Sequence, residues 1–268
     1  MGTTPPDPRT APTALARTAT FRERVRRGER LIGTFAKTPH PAVVEVLGLS
    51  PLDCLCLDAE HAPFDRGDLD VALLAARAAD LPTLVRVPHG DAAQILNALD
   101  CGATGVVVPH VASAADARAA AAACRYGRGG RGYAGSTRAA GYGTRKMGEI
   151  IPGANATVTL VAQIEDAEAL DEIDAIAAVD GIDCLFVGRM DLTVSLGAAT
   201  PNDPVVVEAV RRICAAGRAH GRAVGMFTPT TEEAAQWFEA GASLFLLGSD
   251  QGWILQGARE LATRFRAL

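Results

Sequence analysis

Short apolar runs recur along the chain, each bounded by turn residues and followed by a stretch of helical length. Eight can be counted: Leu31–Ala36, Cys54–Leu57, Thr83–Val87, Gly105–Val108, Thr159–Ile164, Cys184–Val187, Ala223–Phe227 and Leu244–Leu247. Apolar runs without alternation mark strands covered on both faces. The intervening segments Leu69–Ala79, Ala92–Leu99, Ser113–Cys124, Ala167–Ala177, Pro204–His220, Thr231–Ala240 and Trp253–Phe265 are Ala-rich or amphipathic and predict helices. Regular alternation of strand and helix predicts a parallel sheet with right-handed crossovers.

Eight such units in 268 residues suit a single (β/α)8 TIM barrel, a fold of typically about 250 residues. A doubly wound open sheet is the competing arrangement. The barrel is preferred because polar residues follow nearly every apolar run, where a barrel carries its active site. Met1 to Thr20, broken by Pro5, Pro6 and Pro8 and without an apolar segment, is expected to be a flexible N-terminal tail and not a secretory signal. Residues 21–268 then form one barrel domain.

Lys37 follows the first run; Asp58, Glu60 and His61 follow the second; Arg86 nearly ends the third and His110 follows the fourth. Gln163 and Glu165 close the fifth, Asp191 follows the sixth, and Ser249 and Asp250 follow the eighth. Carboxylates are costly to bury alone, so these ends call for partners, a cation or an open cleft. His61 lies three residues after Asp58, a spacing that would let the carboxylate hold one ring nitrogen for general-base work. His110 has no acid close to it in sequence and is placed in a supporting role. Glu165 and Asp191 end successive strands and could share a hard divalent cation, Mg2+ or Mn2+. They could equally pair with arginines such as Arg86 or Arg189.

A net charge of −5 gives no electrostatic reason to expect nucleic acid or a membrane surface as partner. Six cysteines without metal-site spacing are expected to be buried free thiols, and the cytoplasm is the default location. The longest irregular stretch, Arg125–Ala156, contains Gly127-Arg128-Gly129-Gly130-Arg131-Gly132. Those letters match a dinucleotide fingerprint, but the segment follows a helix and opens none, so nucleotide binding is not expected.

Several ordered motifs carry a family resemblance from about Arg22 to Leu268. They are Leu57-Asp58-Ala59-Glu60-His61-Ala62-Pro63, Val85-Arg86-Val87-Pro88, Val107-Val108-Pro109-His110, Arg125-Tyr126 with Gly130-Arg131-Gly132, Ala162-Gln163-Ile164-Glu165, and Phe186-Val187-Gly188-Arg189-Met190-Asp191-Leu192. In these the chain resembles the HpcH/HpaI family of metal-dependent pyruvate aldolases. The resemblance implies a homo-oligomeric barrel, usually a hexamer, that reversibly cleaves 4-hydroxy-2-oxo acids to pyruvate and an aldehyde. It implies Glu165 and Asp191 as metal ligands, with Mg2+ or Mn2+ expected and Co2+ or Zn2+ as further candidates. It also implies His61 as base with Asp58, Arg86 at the enolate, and a pyruvate site formed by Gln163 and the segment Gly188, Met190 and Asp191. Glu60 and His110 stand behind these.

Two departures bear on substrate choice. Gly188-Arg189-Met190-Asp191 replaces the common Gly-Pro-Ala-Asp, and Tyr126-Gly127-Arg128 replaces Tyr-Pro-Pro. The alternatives are citrate-lyase-type cleavage of acyl-CoA thioesters, a Schiff-base aldolase using Lys37, and a barrel that only binds organic acids.

Overall fold

The computed structural model describes residues 16–268. Eight parallel strands close into a barrel in chain order. They are β1 (Leu31–Ala36), β2 (Cys54–Asp58), β3 (Thr83–Arg86), β4 (Gly105–Val108), β5 (Thr159–Ile164), β6 (Cys184–Val187), β7 (Ala223–Thr228) and β8 (Leu244–Ser249). Every expected strand is present within two residues of its predicted limits.

The outer layer differs more. Helices α3 (Arg66–Ala78), α4 (Ala92–Asp100), α5 (Ala114–Cys124), α10 (Pro204–Ala219), α11 (Thr231–Glu239) and α12 (Asp250–Arg266) match predicted segments. The predicted helix Ala167–Ala177 is divided into α7 (Ala167–Asp171) and α8 (Ile173–Ala177). Four helices were not expected: α1 (Ala16–Arg26), α2 (Pro41–Gly48), α6 (Met147–Thr157) and α9 (Arg189–Ser195).

Helix α1 corrects the end of the expected tail. The first fifteen residues lie outside the described part, but the tail does not reach Thr20. Phe21 and Val25 of α1 are buried among barrel-interior residues such as Cys54, Val107, Cys184 and Leu244 and seal the end opposite the strand C-termini. Arg22 fixes this plug by donating to both oxygens of buried Asp183 at 2.9 Å. The barrel interior is narrow. A Cβ on Gly33 of β1 would lie 2.6 Å from Cys54 Sγ and 2.9 Å from a methyl of Leu246, so only glycine fits there. The larger core lies between the barrel's outside and its helices.

Helix α12 behaves unlike the others. Only Asp250 of its seventeen residues is buried, and Ile254, Leu261 and Phe265 are more than 60% exposed. No described helix is long and apolar enough to cross a membrane.

Candidate active site

At the C-terminal mouth, strand register sets the first contact. Asp58 and Arg86 end neighbouring strands in register. Arg86 donates from Nε to Asp58 Oδ1 at 3.0 Å, with its Nη2 at 2.9 Å from the same oxygen. Lys37 Nζ lies 3.3 Å from Asp58 Oδ2. Burial alone would raise the Asp58 pKa; Arg86, the main-chain N–H of His61 and Lys37 together outweigh it and hold the carboxyl below the usual range. The same carboxylates carry the Arg86 pKa up against its own burial, and its guanidinium lies 4.6 Å over the Phe35 ring.

The expected Asp58–His61 ring contact takes another form. Asp58 Oδ1 accepts the His61 main-chain N–H at 3.1 Å, because a carboxylate at a strand end caps the turn that follows it. The His61 ring is half exposed at the mouth, and Glu60 lies beside it, 3.8 Å from its Nε2. Asp58 therefore places the His61 backbone, and Glu60 is the carboxylate next to the imidazole.

Glu60 bridges two groups. Its Oε2 lies 3.2 Å from Arg86 Nε and its Oε1 3.8 Å from His110 Nε2. Burial raises its pKa, and the Glu165 charge adds to the rise against the pull of Arg86, His61 and His110.

His110 is more central than expected. It adopts a left-handed backbone, φ 53°, uncommon for a residue with a side chain. Its main-chain N–H donates to Glu165 Oε1 at 2.9 Å, while its Nδ1 lies 3.1 Å from Asp166 and 3.6 Å from Glu165. Partial burial would lower the His110 pKa, but Asp166, Glu165 and Glu60 raise it. Glu165 and Asp166 are distant in sequence and meet the histidine through the β4–β5 pairing, Glu60 reaches it from the end of β2, and Asp166 was not anticipated at all.

Glu165 is 1% exposed and no lysine or arginine among the described residues pairs with it. It accepts from Gln163 Nε2 and from His110. The arginines that could have neutralised it are engaged elsewhere. Arg86 serves Asp58 and Glu60, whereas Arg189 pairs with Glu233, donates to the Pro201 carbonyl at 3.1 Å and lies 5.2 Å over the Trp237 ring.

Buried Gln163 leaves its Oε1 without a hydrogen-bond partner. Glu60, His110 and Glu165 each offer a ligand atom, all within 4.8 Å of one another. Gly188 caps α9 directly against Glu165; a Cβ there would lie 2.7 Å from Glu165 Cβ and closer still to Oε2. Asp191 follows in the first turn of α9, exposed, beside Met190 at 61% exposure.

Residues 31–256 match the HpcH/HpaI aldolase/citrate lyase family. The chain belongs to this family. It is 36% identical over 255 residues to the hydroxypyruvate/pyruvate aldolase of Paraburkholderia phytofirmans, covering 92% of this chain and 97% of the relative. To the 5-keto-4-deoxy-D-glucarate aldolase of Shigella boydii it is 35% identical, covering 88% and 91%. A crystal structure of an HpcH/HpaI aldolase/citrate lyase family protein from Burkholderia cenocepacia superposes with a TM-score of 0.88 at 37% identity, covering 92% of this chain and 99% of that one.

As an HpcH/HpaI family member the chain is a carbon–carbon lyase of the aldolase type. Its mouth has the groups such chemistry needs: an exposed imidazole, a guanidinium held between carboxylates, and a buried carboxylate with donor atoms around it. Lys37, the candidate Schiff-base amine, has its Nζ turned to Asp58.

Proposed function

We propose that this aldolase reversibly cleaves 4-hydroxy-2-oxo acids into pyruvate and an aldehyde, using a divalent cation held by Glu165 and Asp191. The observation that carries the proposal is Glu165: a buried carboxylate with no basic side chain other than His110 to balance it among the described residues. Burying an ionised carboxylate without a counter-charge is costly, and a cation removes the cost. The unpartnered Oε1 of Gln163, near the end of β5 two residues before Glu165, suits an oxygen-rich site. Carboxylate oxygens favour Mg2+ or Mn2+; a ligand set that included His110 would admit Co2+ or Zn2+.

When bound, the ion supplies a positive centre that polarises the oxo-acid carbonyl. The protein's own groups do the rest. Arg86, fixed by Asp58 and Glu60, adds fixed positive charge where the pyruvate enolate develops. The main-chain amides from Gly188 to Asp191, with Gln163, hold the pyruvate carboxylate. His61 accepts the proton of the C4 hydroxyl during cleavage and returns it during condensation. Met190, standing exposed at the mouth, faces the incoming aldehyde and contributes to its selection.

The apolar residues left uncovered on α12 support a homo-oligomer, since exposed apolar patches of this kind mark contact surfaces. Six unpaired, buried cysteines support a cytoplasmic location.

The test is exhaustive chelation followed by addition of Mg2+ or Mn2+, with oxo-acid cleavage as the readout. Loss and recovery of activity are expected, and Glu165→Gln should abolish the recovery. Cleavage that survives chelation, or borohydride trapping of pyruvate on Lys37, would overturn the proposal in favour of a Schiff base.

A further inference from the structure

A cavity lies at the far end of the barrel. Below the starts of β3, β4 and β5, a cavity of about 390 Å3 opens between α1, α3, α4, α6 and the segment that precedes α6. Leu73, Leu99 and Ile150 give it an apolar wall. Four arginines also line it, Arg77, Arg131, Arg138 and Arg145, and no acidic side chain does. Arg131 and Arg138 belong to the Arg125–Ala156 stretch.

Two of these guanidiniums are held deep inside. The Arg131 side chain is 1% exposed and the Arg138 side chain 8%. Each is aimed by one carboxylate: Arg131 Nη2 lies 2.5 Å from Asp100, and Arg138 Nη2 lies 2.7 Å from Asp70. Arg131 is also braced at 4.6 Å over the Tyr126 ring. In both, the Nε–H is buried and has no acceptor. A buried donor without an acceptor costs free energy that a ligand oxygen would recover. The other two, Arg77 and Arg145, are exposed and have no carboxylate partner among the described residues. The two aspartates balance two of the four arginines that line the cavity.

We propose that this cavity binds a small organic anion, its apolar body against Leu73, Leu99 and Ile150 and its carboxylate or phosphate head on the arginines. Planar guanidiniums with free N–H edges suit both head groups. The site is independent of the cation and of the catalytic residues at the opposite face.

Calorimetric titration of the full chain with hexyl phosphate, hexanoate and inorganic phosphate tests this. Hexyl phosphate or hexanoate is expected to bind saturably, the tighter of the two identifying the head group. Inorganic phosphate should bind more weakly, having no apolar body. The double variant R77A/R145A removes two exposed, unpaired side chains, so its thermal stability should not change. It should weaken binding about tenfold or more, the usual effect of losing charge-assisted contacts. Absence of saturable binding, equal affinity in the double variant, or inorganic phosphate as tight as hexyl phosphate would each overturn the proposal.

Discussion

Asp58 and Arg86 face each other across the seam between β2 and β3, their α-carbons in register and Arg86 Nε 3.0 Å from Asp58 Oδ1. Removing either partner has unequal consequences. Arg86→Leu leaves Asp58 and Glu60 without the cation they share, and should lower stability by about 3–5 kcal/mol, the usual cost of breaking a buried pair from one side. Asp58→Asn keeps Glu60 as the partner of Arg86 and still accepts the His61 N–H, so it should cost clearly less. Urea denaturation ranks the two; equal losses would mean that Glu60 does not share the guanidinium.

Gly188→Ala tests the support of Glu165. The added methyl meets Glu165 while the backbone of residue 188, with φ at −82°, accepts alanine without strain. Affinity for the activating metal should fall about 10–100-fold, as for other groups that orient ligands, and the crowding against Glu165 should cost about 1–3 kcal/mol of stability. Metal titration of the initial rate measures it, and an unchanged titration would separate Gly188 from the cation site.

His61→Ala should lower the cleavage rate by roughly 10²–10⁴, the usual worth of a positioned acid or base. Because the ring is half exposed and bonded to nothing that supports the fold, the variant should melt at the parent temperature. A rate within about threefold of the parent would remove His61 from proton transfer.

The buried thiols predict an alkaline limb of stability. Burial pushes Cys54 and Cys124 up to about 12 and Cys214 to about 11. An unfolded thiol ionises at about 8.5, so above that pH the unfolded chain releases protons that the folded chain retains. The stabilisation is complete below that pH and is lost as pH rises toward the folded values. Urea midpoints should therefore fall progressively from about pH 8.5 upward. Iodoacetamide at pH 8 should label the cysteines only after unfolding.

What the sequence revealed follows from how each signal arises. Strands such as Thr159–Ile164 were legible because both faces are buried and apolar residues run unbroken. Helix α6 was hidden by Pro152 and its glycines, which suggest a loop. Helix α2 was overlooked although His40 at its N-cap, followed by Pro41, is a usable start signal. The strand-end residues were legible one at a time, since each ends an apolar run. Their partners were not. Lys37 with Asp58, Glu60 with His110, and His110 with Asp166 meet across different strands, so register and turn geometry decide them.

Asp250 gives one of these contacts an unexpected timing. Its carboxylate accepts the main-chain N–H groups of Lys37 at 2.8 Å and Thr38 at 3.0 Å, reaching back 213 and 212 positions in the chain. During translation the segment bearing Lys37 leaves the ribosome early, yet the two bonds that fix its backbone form only once the start of the last helix has emerged. A nascent chain stopped before Asp250 therefore carries Lys37 at the mouth without the acceptor that fixes its backbone.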